Sequence, residues 1–338
     1  MTAAAPPPGS TPPGTPSAGA SSAGGPPPSS PPPIEAVQRR GDRVFSRAAT
    51  GAGIGILVAL AAVAVFLVAQ SMPALFAEEG SFRGTDGTFW DYVAPLAFGT
   101  VWAAALALIM AVPLAIGIAL FISHYAPRRL AQPLGYIIDL LAAVPSVVYG
   151  LWGITVLAPA TVPLYQWLTE NLGWIPLFAG PASGTGRTVL TVAIVLAVMV
   201  LPIITALCRE VFVQTPVLNE EAAYALGATR WEMIRLSVFP YARSGIVSAS
   251  MLGLGRALGE TMAVAMVLSP SAIISLAILT PENPSTIAAN IALNFPESAG
   301  LQVNALIATG LVLFVITLVV NSIARYIVTR HERSLESR

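Results

Sequence analysis

Six stretches of this chain, over residues 51–76, 93–123, 134–158, 188–208, 244–269 and 301–328, are predominantly apolar and nearly free of charge. About 20 such residues cross the roughly 30 Å hydrocarbon core of a bilayer as a helix. Backbone immersed in lipid must satisfy its own N–H and C=O groups, which a helix does without help from other segments. The pattern therefore predicts an all-α fold: a polytopic membrane bundle of six transmembrane helices. Composition agrees, with 55% hydrophobic and 10% charged residues against about 25% charged in soluble proteins. Mean hydropathy is +0.74. Pro113, Pro145 and Pro202 fall inside predicted spans, where neighbouring helices can satisfy the freed carbonyls.

All 17 basic residues are arginine, balanced by 17 acidic ones. Without lysine the chain cannot form the G-x-x-x-x-G-K-[ST] loop that cradles nucleotide phosphates, so any ATP-driven step needs a separate subunit. Zero net charge offers no basic surface for nucleic acid. Cys208 is the single cysteine, and with only His124 and His331 beside it no disulfide or zinc spacing exists; no metal or cofactor is implied. Arginine placement sets orientation. Arg39, Arg40, Arg43 and Arg47, then Arg128 and Arg129, then Arg209, Arg230, Arg235 and Arg243, then Arg325, Arg330, Arg333 and Arg338 all flank one side of the spans, whereas Arg83 and Arg187 fall on the other. Both termini are expected in the cytoplasm, with Trp90, Trp167 and Trp174 in the outer aromatic belt.

The expected organisation is a cytoplasmic tail over 1–50, rich in Pro, Gly, Ser and Ala and ending in an Arg-rich flank, a six-helix domain over 51–330, and a short tail over 331–338. The composition of 1–33 is that of a disordered segment, and it lacks the basic and apolar regions of a cleaved signal peptide. Between the fourth and fifth spans, a cytoplasmic loop over 209–243 contains TPVLNEEAAYALGATRWEMIRLSVFP. Thr215 before Pro216 suits a helix start, Gly227 a left-handed helix end, and Thr229 with Glu232 a capping box. Two short helices joined at Gly227 are predicted, the second stopping near Pro240.

Arg256 lies 13 residues beyond Arg243 in the fifth span, about 20 Å along a helix and out of reach of the interface by snorkelling. An arginine at that depth faces protein or water and has a partner; Glu260, four residues on, shares its helix face. The pair reads either as a static ion pair or as a site where the forked guanidinium meets an oxyanion, with Glu260 holding Arg256 while the anion is absent. Gly253, Gly255 and Gly259 leave room for a close helix partner. Asp139 reads as interfacial and Cys208 as a small buried residue.

Glu221, Ala222, Ala223, Gly227 and Pro240 resemble the EAA loop of the integral-membrane permeases of bacterial ABC importers, with Ser237 and Phe239 departing from its usual aliphatic ending. GRALGETMAV over 255–264 and PSVVYGLWG over 145–153 resemble C-type permease subunits of Pst phosphate importers, a similarity covering roughly 45–330. The resemblance implies a type I ABC importer permease in the bacterial inner membrane, itself not an enzyme. It also implies a homologous second permease, a dimer of ATP-binding subunits and an extracytoplasmic phosphate-binding protein. Coupling to the ATPase falls to Glu221, Ala223 and Gly227, and the phosphate path to Arg256 and Glu260. Charge alone does not separate phosphate from sulfate or molybdate. A secondary anion transporter is the more distant alternative, for which no repeated plan of broken helices is visible.

Overall fold

The computed structural model describes residues 40–82 and 86–336; the Pro-rich tail through Arg39, Arg83 and Arg338 lie outside the described residues. In order, the chain forms α1 (Arg40–Leu75), α2 (Phe89–Leu120) running into a π turn (Phe121–Tyr125), α3 (Arg128–Ala142), and α4 (Ser146–Trp152) joined by a π turn (Gly153–Leu157) to α5 (Ala158–Leu172). Then follow α6 (Val189–Val213), α7 (Val217–Ala225), α8 (Arg230–Met233), a π turn (Ile234–Val238), α9 (Phe239–Leu258) and α10 (Met262–Val267). The chain continues through β1 (Pro270–Ser271), β2 (Asn283–Pro284), α11 (Ile287–Asn294) and α12 (Leu301–Glu336). The two short strands pair in parallel. α1 begins ahead of the expected boundary at residue 51, and α12 carries helix through most of the expected tail.

Among the described residues, five helical segments are long and apolar enough to cross a membrane: Val44–Leu75, Phe89–Tyr125, Ser146–Leu172, Val189–Val213 and Leu301–Tyr326. The expected span over 244–269 is present as two helices, α9 and α10, interrupted at residues 259–261. The expected span over 134–158 is shifted. Pro145 stands at the cap of α4 instead of inside a helix, because proline lacks the N–H that an interior position needs and suits a first turn. The chain therefore breaks there, α3 becomes a separate helix, and the membrane-length segment begins at Ser146.

By contacts the chain divides into Met1–Ile56 and Leu57–Arg338. The described part of the first is the opening of α1, with Ile54 and Ile56 exposed. In the second, the core forms where α2 meets α6. Ala103, Ala107, Ala111, Ala115 and Ala119 recur every fourth residue of α2, all buried, and the larger Val192, Leu196, Val200 and Ile204 of α6 belong to the same cluster. Small residues let helices approach closely, which matters where lipid supplies no hydrophobic drive for association. α9 meets α6 in the same way. A Cβ on Gly253 would come within 2.6 Å of Ile204 Cδ1, and one on Gly245 within 2.6 Å of Val211 Cγ1. Gly253 thus accommodates α6 of its own chain, while Gly255 has open space beside it.

At the end of the bundle away from α7 and α8, the segment after α10 is fastened by side chains. Asn283 is fully buried; its Oδ1 accepts the Val189 N–H at 3.0 Å, and its Nδ2 donates to the carbonyls of Arg187 at 3.1 Å and Pro281 at 3.0 Å. Arg187, read from sequence only as a charge on the far side, donates to the carbonyls of Val267 at 3.2 Å and Leu268 at 2.9 Å. It so closes the C-terminal end of α10, where a cation is favoured. Thr100 accepts the Ile287 N–H at 2.9 Å and starts α11 against α2. Asn283→Ala removes the partner of the buried Val189 N–H, at about 1–3 kcal/mol, and of the part-buried Arg187 and Pro281 carbonyls, so the melting midpoint of the detergent-solubilised protein is expected to fall; an unchanged midpoint would show that these bonds do not hold the segment.

Candidate functional site: a helix break and an exposed loop

Residues singled out by sequence fall into two places, the loop carrying α7 and α8 and the break between α9 and α10. In the loop, α7 ends as the glycine position requires. Gly227 has φ of 82°, its N–H donates to the Tyr224 carbonyl at 2.9 Å, and the Ala228 N–H donates to the Ala223 carbonyl at 3.1 Å. These are the paired bonds of a Schellman ending. Thr229 and Glu232 form the expected capping box: the Glu232 carboxylate accepts the Thr229 N–H and hydroxyl, both at 2.8 Å. Those bonds, the backbone one first, hold the Glu232 carboxyl below its ordinary range. Their stabilisation is present above the ordinary carboxylate pKa and is lost as pH falls through the lowered value.

Three details differ from expectation. Pro216 itself occupies the cap of α7, and the Thr215 hydroxyl, one position too early, is buried with no hydrogen-bond partner. The second helix does not stop near Pro240: the π turn over Ile234–Val238 passes directly into α9, with Pro240 in its first turn. The wider π turn, in which the Phe239 N–H reaches back to the Ile234 carbonyl, lets proline enter without ending the helix. Ser237 is no mere departure from an aliphatic pattern, since its hydroxyl donates to the Asn219 carbonyl at 3.0 Å and ties the loop's two arms together.

Glu221 is exposed, whereas Ala223 is buried against the main core cluster and seats α7 on the bundle. Around Glu221 the loop presents apolar side chains to the outside: Leu226 is 89% exposed, Leu218 77% and Trp231 54%. Such a concentration on one projecting element marks an interaction surface.

At the break, the structure changes the expected relation of Arg256 and Glu260. α9 ends at Leu258 and α10 starts at Met262, so the two residues do not share a helix face. The Glu260 carboxylate is buried and accepts the Ala263 N–H at 3.1 Å. It caps α10, and among the described residues it forms no ion pair with Arg256, whose Nε is buried without a hydrogen-bond partner. A first-turn N–H freed by the break has no water to bond at this depth, and the nearest acceptor takes it.

Sequence reasoning missed a third member, Tyr149. It lies on α4 just past the α3–α4 break, and its hydroxyl donates across that break to the Leu141 carbonyl at 2.9 Å. The glycines of PSVVYGLWG explain how the two breaks meet: a Cβ on Gly150 would come within 2.8 Å of Ala263 Cα, and one on Gly153 within 2.7 Å of Val195 Cγ2 and 2.9 Å of Val267 Cγ2. Tyr149 could have been suspected from a hydroxyl beside a glycine in an otherwise apolar run. Irregular backbone at membrane depth occurs where protein buries it or where it lines a cavity. Here it leaves the Nε donor of a permanently charged guanidinium unused, which suits capture of an oxyanion. Asp139 lies on α3, 4.0 Å from Arg209, in a half-exposed ion pair.

Gly227 illustrates how conformation and contact can be separated, since nothing lies within 4 Å of a Cβ placed there. Gly227→Val forces a branched residue into the left-handed region, at about 1–2 kcal/mol. It is expected to speed amide exchange in α7, while Gly227→Asn does so much less; equal effects would overturn the conformational account.

Comparison with known proteins agrees with this architecture. Residues 111–333 match the family described as binding-protein-dependent transport system inner membrane component. The chain is 47% identical over 299 residues to phosphate transport system permease protein PstC 2 of Mycobacterium tuberculosis, covering 86% of this chain and 92% of that one. It is 43% identical over 302 residues to phosphate transport system permease protein PstC of Mesorhizobium japonicum, covering 86% and 90% respectively. Among solved structures, a bacterial ABC transporter involved in import of the acidic polysaccharide alginate has a chain that superposes with a TM-score of 0.54 at 18% identity, covering 85% of this chain and 97% of that one, and so shares its fold. With its apolar helices, its projecting loop and these relatives, the chain belongs to the binding-protein-dependent transport system inner membrane components, a family of multi-pass membrane permeases.

Proposed function

We propose that this chain is the C-type permease subunit of an ATP-driven importer of inorganic phosphate. It forms the translocation path with a homologous second permease. A separate dimer of ATP-binding subunits hydrolyses ATP, as suits a chain with no lysine for a nucleotide-binding loop. An extracytoplasmic binding protein delivers phosphate from the opposite side. Both termini and the α7–α8 loop lie in the cytoplasm, where the arginine excess belongs. Glu221 and the exposed apolar residues of the loop meet the ATP-binding subunit, while Ala223 and Gly227 hold α7 in the shape that does so.

The observation that carries the pathway assignment is the unpartnered Nε of Arg256, buried where two helix breaks meet. Because Glu260 is committed to capping α10, it need not be displaced when an anion arrives. Phosphate presents oxygens that accept from a guanidinium fork. Transport favours such a foothold over a tight cage, since an ion held too firmly does not leave. Glu260 is a positioning residue in this scheme, fixing the geometry of the break.

The test is uptake of radiolabelled phosphate in cells lacking their own importer and supplied with this chain and its partner subunits. With membrane levels equal, Arg256→Gln is expected to reduce uptake by about ten-fold or more, the scale of a lost charge-assisted bond. Arg256→Lys, which keeps the charge without the fork, should fall between. Glu221→Ala should weaken retention of the ATP-binding subunit without touching the anion site. Normal uptake by Arg256→Gln would remove the pathway role; uptake of sulfate or molybdate in place of phosphate would change the substrate.

A further inference from the structure

One buried titratable group is unused by the scheme above. His124 sits in the π turn at the cytoplasmic end of α2, its side chain only 9% exposed. On its own turn, Nδ1 lies 2.7 Å from the Ser123 hydroxyl. From α6, Phe212 presents an apolar ring, edge to face at 6.5 Å. From α7, the Glu220 carboxylate approaches Nε2 at 3.5 Å. The charge of α8 nearest this turn, Arg230, stands over the neighbouring Tyr125 ring at 5.4 Å. The π turn therefore grips both helices of the loop.

The Ser123 oxygen also lies 2.8 Å from the Ala119 carbonyl, so its hydroxyl ties the imidazole to the last turn of α2. His124 thus stands between a residue of its own turn and the carboxylate of α7.

We propose that His124 is a positioning residue for energy coupling, a strut that fixes α7 to α2 through Glu220. Two adjacent carboxylates of the loop divide the work. Glu221 points outward to the ATP-binding subunit, and Glu220 inward to the membrane bundle. Motion imposed on α7 then passes through His124 into α2, whose alanine ladder is packed on α6. The proposal rests on the α7–α8 loop being the ATPase-docking element.

The test uses the complete importer in proteoliposomes and reads phosphate taken up per ATP hydrolysed, with retention of the ATP-binding subunit measured alongside. His124→Ala and Glu220→Ala are each expected to lower the ratio by about ten-fold, with the double variant no worse than either single one. His124→Gln, which keeps a donor of similar reach, should restore part of the ratio. An unchanged ratio in His124→Ala, additive losses in the double variant, or no rescue by His124→Gln would each overturn the strut. If His124→Ala fails to assemble, His124→Gln and Glu220→Gln decide, since a wild-type ratio in both would overturn it. Glu221→Ala separates the underlying assignment: full retention and coupling there would mean that the loop is not the docking element, whatever His124 does.

Discussion

The organisation of this protein depends on one constraint: inside a bilayer no water satisfies a backbone group that a helix releases. Each interruption of a helix must therefore be answered by a side chain, and the structure shows which ones answer. Glu260 takes the N–H at the start of α10, Tyr149 bonds the carbonyl left at the end of α3, Arg187 closes the far end of α10, and Asn283 ties the following segment to the start of α6. Arg256 Nε, like Trp102 Nε1 and Thr205 Oγ1, is left without such a partner; of these three it alone carries a charge, and the chemistry proposed for the chain begins there.

The same scarcity of driving forces governs packing. Lipid tails are as apolar as leucine, so the helices of the second unit associate through close contact of small residues. α6 is the common axis: the alanine ladder of α2 lies along one side, Gly245 and Gly253 of α9 meet it on another, and Gly153 admits its Val195. A helix gripped this closely from several directions transmits displacement instead of absorbing it. In the proposed coupling, that is the mechanical reason the loop joining α6 to α9 would pass its movement into the membrane bundle.

Much of the loop was legible because its signals are local. The left-handed position at Gly227 and the Thr229–Glu232 box depend on bonds between residues a few positions apart, which spacing alone specifies. Thr215 and Pro240 misled for a related reason. Whether a hydroxyl reaches a free N–H, or a proline ends a helix, turns on a single residue of register, and a π turn shifts that register without leaving a pattern in composition. Ser237 was legible as an anomaly but not as a fastening, because its acceptor lies 18 positions back on another arm.

Apolar run lengths, the arginine asymmetry and the absence of lysine settled by themselves that this is an all-α membrane chain with no nucleotide-binding loop of its own. These properties sum over many residues and survive errors at any one of them. Tertiary structure alone decided that Glu260 caps a helix instead of pairing with Arg256, that Tyr149 bridges the break between α3 and α4, and that His124 meets Glu220. An i,i+4 spacing places two side chains together only while the helix between them is unbroken. Whether it breaks is settled by what packs against it, here Gly150 of α4 against Ala263 of α10, two residues more than a hundred positions apart.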